Sequence, residues 1–256
     1  MSPLILLSND DGYDAEGLTV LRAALARFAD VIVSAPKNNQ SAASHALTLR
    51  NVLHLETLDD TTFTVDGTPA DSVYVALHSG ERLLPRWPDM VVSGMNRGPN
   101  LGLDVIYSGT VAAAREGALR GIPAVALSAS PRAKLQSAVQ LAARIVERAL
   151  ATLAETPEDQ TPLLNVNIPR GDGWTLQATR LGRRNYRDDI IYRRDPRNRE
   201  YLWIGGAAAK HDLTAGTDTA AWDMGNASLT PLTLSFFAPE HADFVDQVAA
   251  AVDADG

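Results

Sequence analysis

The chain has no cysteine. That excludes disulfides, a thiolate nucleophile and thiolate metal ligation, so any metal must be held by oxygen or imidazole. A reducing, cytoplasmic setting suits such a chain. Histidine is also scarce, and the five present, at 45, 54, 78, 211 and 241, show no HExxH or other paired spacing, which argues against a zinc hydrolase. Cations are outnumbered, 23 Lys and Arg against 31 Asp and Glu, and a net charge of -8 does not suit a duplex nucleic-acid partner. No apolar run approaches the roughly 20 residues that span a bilayer. The segment Met1-Ser2-Pro3-Leu4-Ile5-Leu6-Leu7 has no cationic lead and meets Asn9-Asp10-Asp11 too early to read as a signal peptide. The glycine-rich stretches match neither GxGxxG nor the P-loop pattern, which counts against NAD or ATP bound by those routes.

What is present is a chain of 256 residues, 45% hydrophobic, enough for a substantial core. Short apolar runs at Leu4 to Ser8, Val31 to Ala35, Met90 to Val92, Ile122 to Leu127 and Leu163 to Ile168 read as strands. Between them, Leu18, Leu21, Leu25 and Phe28, then Thr110 to Arg120, then Leu135, Val139, Ala142, Val146, Ala149 and Leu153 keep helical spacing. This alternation predicts an α/β fold, a mostly parallel sheet with helices on both faces. His45 to Val65 suggests a β excursion. The segment 1–170 is expected as the core, 180–235 as an extended β arm containing Tyr201-Leu202-Trp203-Ile204, and 236–256 as a closing helix over Ala242 to Val252, with Ser228 to Phe237 as a late strand.

In such a sheet, ligands sit beyond the carboxyl ends of the strands. Asn9-Asp10-Asp11-Gly12 lies there. In isolation it reads first as a tight turn; as a site, two adjacent carboxylates call for a compensating cation. Three further loops fall at the same edge. Pro36 to Ser44 carries Ser41, a hydroxyl donor group whose plainer role is local capping. Ser93-Gly94-Met95-Asn96-Arg97-Gly98-Pro99-Asn100 offers the amides of Asn96 and Asn100. Ser108-Gly109-Thr110 opens a helix, where unpaired N–H groups make either a phosphate seat or an ordinary cap. Thr68-Pro69-Ala70-Asp71 is read as a helix cap. The Arg-rich stretch from Arg180 to Arg199, interleaved with Asp188, Asp189 and Asp195, reads as a salt-bridged arm.

Taken together, Leu7-Ser8-Asn9-Asp10-Asp11-Gly12, Gln40-Ser41-Ala42, Val65 to Asp71, Val92 to Asn100 and Tyr107-Ser108-Gly109-Thr110-Val111 resemble the SurE family of stationary-phase survival nucleotidases. The resemblance continues through Asp195-Pro196-Arg197 and Ser228-Leu229-Thr230-Pro231-Leu232. Arg115 stands where an apolar residue is common after SGTV, and Asn226 where an aromatic is common. The resemblance implies a Rossmann-like three-layer core and one divalent cation per subunit, Mg2+ or Mn2+, on Asp10, Asp11, Ser41 and Asn96. It also implies hydrolysis of nucleoside 5′-monophosphates, often of 3′-monophosphates and short polyphosphate, and a homodimer or homotetramer formed through an exchanged C-terminal segment.

On this reading Asp10, Asp11 and Asn9 are the catalytic residues, and Asn9, Asn96, Ser108, Gly109 and Thr110 hold the phosphate. Both aspartates go first to the cation, because the adjacent pair lacks the DxD spacing of aspartyl-phosphate enzymes. The rivals are a Rossmann-like nucleotide sensor without turnover, and an oxygen-ligand metallohydrolase for carboxyl or sugar esters.

Overall fold

The structure, a computed structural model, describes residues 2–157, 160–185, 190–204 and 210–254. Its strands are β1 (Leu4–Ser8), β2 (Asp30–Pro36), β3 (Leu55–Asp59), β4 (Thr62–Val65), β5 (Met90–Arg97), β6 (Ala124–Ala129), β7 (Leu163–Ile168), β8 (Leu176–Ala178), β9 (Arg184–Asn185), β10 (Ile190–Arg194), β11 (Glu200–Ile204), β12 (Lys210–His211) and β13 (Ala227–Leu232). The helices are α1 (Glu16–Leu25), α2 (Pro69–His78), α3 (Gly109–Leu119), α4 (Leu135–Thr152), α5 (Asp218–Asp223) and α6 (Ala242–Ala254).

Nine strands form one sheet in the order β3-β4-β2-β1-β5-β6-β7-β13-β8. Pairing is parallel from β4 through to β7, whereas β3 on β4 and β13 on β7 are antiparallel. The central strands are buried on both faces, which is why β1 reads Leu-Ile-Leu-Leu without alternation and Ile5, Leu6 and Leu7 are fully buried. Alternate side chains enter two cores. One takes Ile5 and Leu7 with Leu18, Leu21 and Leu25 of α1 and Val139, Ala142 and Val146 of α4. The other takes Leu4 and Leu6 with Val73 and Leu77 of α2 and Val111, Ala114 and Ala118 of α3. Each fully buried Leu or Ile contributes about 1.5–3 kcal/mol, so these layers fix the strand ends on which the loops stand.

The chain leaves β1 for β2 on one side and returns to β5 on the other, so the sheet's switch point lies between β1 and β5. The α2 start follows the sequence reading: Thr68 accepts from the Asp71 N–H, Asp71 reaches back to the Thr68 N–H, and Pro69 opens the helix.

Three sequence expectations change. The glycine-rich stretch after Val92 continues as strand to Arg97, because Asn96 and Arg97 regain pairing with Ser128 and Ala129 of β6 after a local irregularity. Within the expected β excursion only Leu55–Asp59 and Thr62–Val65 are strands. The expected arm is shorter than 180–235, since Ala227–Leu232 pairs with β7 and β8 inside the main sheet of its own chain. The expected closing helix is present as α6, and Phe236 and Phe237 before it, and Phe244, Val245, Val248 and Val252 along it, are all exposed. What stands apart is the antiparallel pair β10-β11 and the short pair β9-β12. Arg187, Asp188, Asp189, Gly205 and Gly206 lie outside the described residues.

Candidate active site

Four loops meet at the carboxyl ends of β1, β2 and β5 and the start of α3. After β1 the backbone turns at Gly12, whose φ of +110° suits glycine alone, and Asn9 Nδ2 donates to the Gly12 carbonyl at 2.7 Å. The turn is clamped to the second loop: the Gln40 N–H donates to the Asp10 carbonyl at 2.7 Å, and the Tyr13 N–H to that of Pro36 at 2.9 Å.

Asp10 is 5% exposed and Asn9 1%. The Thr110 hydroxyl donates to Asp10 Oδ1 at 2.7 Å, joining the first loop to α3. Gly109 makes that approach available, because a Cβ there would lie 2.8 Å from Asp10 Cβ and 3.1 Å from Pro69 Cγ. Burial pushes Asp10 up to about 6, with the Asp11 charge adding to the rise and the Thr110 hydrogen bond opposing it. Asp11 is also raised by burial, against hydrogen bonds from the Arg97 backbone and the Asn39 side chain. Thus Asp11 joins the end of β5 to the loop after β2.

Ser41 and Asn96 each have one face engaged. The Ser41 hydroxyl donates to Asn39 Oδ1 at 2.7 Å, and Asn39 Nδ2 donates to Asp11 Oδ1 at 3.2 Å. Asn96 Nδ2 donates to the Gly98 carbonyl at 2.8 Å, turning its amide nitrogen inward to the loop. Ser108 is the cap of α3, its hydroxyl accepting from the Val111 N–H at 3.1 Å. The Thr110 N–H also reaches Asp10, so the first turn of α3 is tied to the first loop by both backbone and side chain.

Asn9 Oδ1 is buried without a hydrogen-bond partner among the described residues. Exchanging its oxygen and nitrogen would set two oxygens against each other at Gly12, so the orientation follows from the contact. An orphaned buried acceptor, two carboxylates held above their usual range and a neutral hydroxyl and amide form a hard-oxygen set that fits a divalent cation such as Mg2+ or Mn2+. Among the described residues no three His, Cys, Asp or Glu cluster to hold a metal, so a cation here would depend on neutral oxygens beside the two carboxylates.

Several supporting residues escaped the sequence reading. Asn39 and Arg97 carry no periodic or spacing signal. Asn100, considered as a ligand, is an anchor: its N–H donates to Asn167 Oδ1 at 2.7 Å, its Nδ2 to Ser128 Oγ at 2.8 Å, and its carbonyl accepts from Asn165 and Asn167. The signal was two asparagines alternating in the buried strand Leu-Leu-Asn-Val-Asn-Ile. Asp218, fully buried, accepts from Gly102 N–H at 2.9 Å and Gly182 N–H at 2.7 Å, and Arg184 pairs with Asp104, so the root of the arm is tied to the segment that leads into Ser108. A cavity of about 640 Å3 between α1 and α4 shares no residue with the site.

The model of the family described as survival protein SurE matches residues 5–188. The chain belongs to the SurE family. Among its relatives is a protein named 5′-nucleotidase SurE from Sorangium cellulosum, 57% identical over 250 residues, covering 98% of this chain and 97% of that protein. A protein of the same name from Methylococcus capsulatus is 43% identical over 248 residues, 93% of this chain and 94% of its own. The crystal structure of the SurE protein from Aquifex aeolicus superposes with a TM-score of 0.82 at 36% identity, covering 96% of this chain and all of that one. The SurE fold is thus shared over nearly the whole length, including the strands that carry the four loops. No described helix is long and apolar enough to cross a membrane.

Proposed function

We propose that this SurE-family chain is a 5′-nucleotidase, a phosphomonoesterase releasing phosphate from nucleoside monophosphates, with the four-loop cluster as its active site. The observation that carries the site is the buried Asp10, held by Thr110 at the start of α3 beside an orphaned Asn9 oxygen. The named activity of relatives that match over nearly the full chain supports the reaction.

We assign one divalent cation per subunit, Mg2+ or Mn2+, to Asp10, Asp11, Ser41 and Asn96. Bound there, it would neutralise phosphoryl charge and polarise a nonbridging oxygen. The chain's own groups do the rest. The Gly109 N–H and the Ser108–Thr110 turn receive the phosphate at a helix end whose partial charge favours anions. Asn96, with its nitrogen turned into the loop, presents its oxygen to the cation. Thr110 orients Asp10, a task it performs with the hydroxyl that sequence alone assigned to phosphate. Asn9 has spent a donor on Gly12, so its carbonyl oxygen suits accepting a hydrogen bond from the attacking water, which it would orient, better than contact with a phosphate oxygen. Activity on 3′-monophosphates and short polyphosphate, assembly through a C-terminal segment as a homodimer or homotetramer, and a cytoplasmic setting belong to the same proposal.

Purified protein incubated with AMP or GMP is expected to release phosphate, to stop on addition of EDTA and to resume with Mn2+ or Mg2+. AMP bound and recovered intact in the presence of each metal would instead make the chain a sensor. Turnover of p-nitrophenyl acetate without p-nitrophenyl phosphate would make it an esterase.

A further inference from the structure

We infer that Asn39 is the positioning residue of the cation site, fixing which lone pairs of Ser41 and Asp11 face the ion. The inference rests on the cation assignment above and deepens it. A neutral hydroxyl can bind a cation only through an oxygen lone pair, so its proton must be directed elsewhere. In this loop the Ser41 hydroxyl sends its proton to Asn39 Oδ1 at 2.7 Å, and the Ser41 N–H donates to the same oxygen at 3.0 Å. That pair of bonds holds both the rotamer and the proton of Ser41.

The other end of the amide acts on Asp11. Asn39 Nδ2 donates to Oδ1 at 3.2 Å, engaging one carboxylate oxygen and turning the other toward the cation. The two tasks need an acceptor and a donor on one short side chain. Asparagine has both; aspartate at this position would set a carboxylate against Asp11, and alanine would serve neither partner. Partners of this kind behind a metal ligand orient it and tune its affinity.

Asn39 is exposed, and its side-chain hydrogen bonds are to these two residues, so removing it leaves both cores intact. The test is calorimetric titration of Mn2+ into metal-stripped full-length protein, for the wild type, Asn39→Ala, Ser41→Ala, the double variant and, as references, Asp10→Asn and Asp11→Asn. Asn39→Ala is expected to weaken Mn2+ about 10–100-fold with an unchanged melting temperature of the metal-free protein. Its effect is expected to shrink in the Ser41→Ala background, because one of the two groups it orients is gone. Mn2+ affinity unchanged in Asn39→Ala, while Asp10→Asn and Asp11→Asn abolish binding, overturns the role of Asn39 and leaves the cation assignment standing. Mn2+ affinity unchanged in all the variants overturns the assignment itself.

Discussion

The loops at the sheet's switch point and the C-terminal β10-β11 and α6 segments break the usual partition of side chains in opposite directions. At the foot of the first loop two polar groups are inside: Asn9 is 1% and Asp10 5% exposed. In the C-terminal segments apolar groups are outside: Trp203 is 63% and Phe236 90% exposed. A buried carboxylate is costly unless something compensates it, and a run of exposed aromatic and aliphatic side chains is costly unless something covers it. In the proposed function a small hard cation and an anion would compensate the first, and an apolar partner surface would cover the second. The first is held rigidly, tied to β1, β2, β5 and α3 by short hydrogen bonds. Catalysis needs that fixity, whereas association can bring its own.

The strongest way to break the comparison is at Asp10. Asp10→Asn keeps an acceptor for the Thr110 hydroxyl and removes the charge, so the fold is expected to persist while kcat/KM for AMP falls on the order of 1,000-fold, the scale of losing a main electrostatic group. Circular dichroism and steady-state phosphate release check the two halves. Turnover within a few fold of wild type would remove Asp10 from the chemistry.

The complementary change is at α6. A charge at Phe244, which is 67% exposed in the single chain, has nothing to disturb in either core. Phe244→Asp is expected to leave the metal-free melting temperature of the core unchanged and to weaken self-association roughly 10–100-fold, the equivalent of one large apolar side chain withdrawn from an interface. Sedimentation velocity across a concentration series measures it. Unaltered association would mean that α6 is not the covered surface.

The two regions also differed in how far the sequence disclosed them. The sheet was readable because its strands are unbroken apolar runs such as Leu4 to Leu7 and its helices keep a 3.6-residue stripe, as in α4; burial on both faces writes itself into composition. The Thr68 cap was readable because capping is local in sequence. The convergence of Asp10, Asp11, Ser41 and Asn96 at one edge followed from topology, with motif resemblance supplying their roles. Arg97 and Asp218 were silent because their partners are distant and chosen by tertiary position, as is Asn39's contact with Asp11: Asp218 meets Gly102 across 116 residues. The arm was overextended because Ser228 to Leu232 looks like any edge strand, and only the antiparallel register with β7 shows that it belongs to the core.

The smallest expected effect lies behind the loop that carries Ser41, at Glu116 of α3, a carboxylate 1% exposed. Arg120 donates to its Oε1 at 2.9 Å, and His45 lies 2.8 Å from its Oε2. The Arg115 Nε donates to His45 Nδ1 at 2.7 Å, so that nitrogen is the acceptor and Nε2 is left to donate to Glu116. Burial pushes the Glu116 carboxyl up, but the hydrogen bonds from His45 and Arg120 and the Arg120 charge outweigh it, and the folded-state value lies below the ordinary one. A carboxylate depressed in the folded state adds stability above its unfolded pKa, roughly 4.3, and that stability is lost as the pH falls through the lower folded value. Glu116→Gln keeps the shape and discards the charge. It is expected to cost about 1.5 kcal/mol at neutral pH, the lower end for a hydrogen bond to a charged group, with the difference from wild type constant above about pH 5 and closing in the acid range. Urea unfolding from pH 3.5 to 8 measures that difference. A gap that instead widened toward acid would reverse the sign and place the depression of Glu116 in doubt, and with it the anchoring of the Ser41 loop on α3.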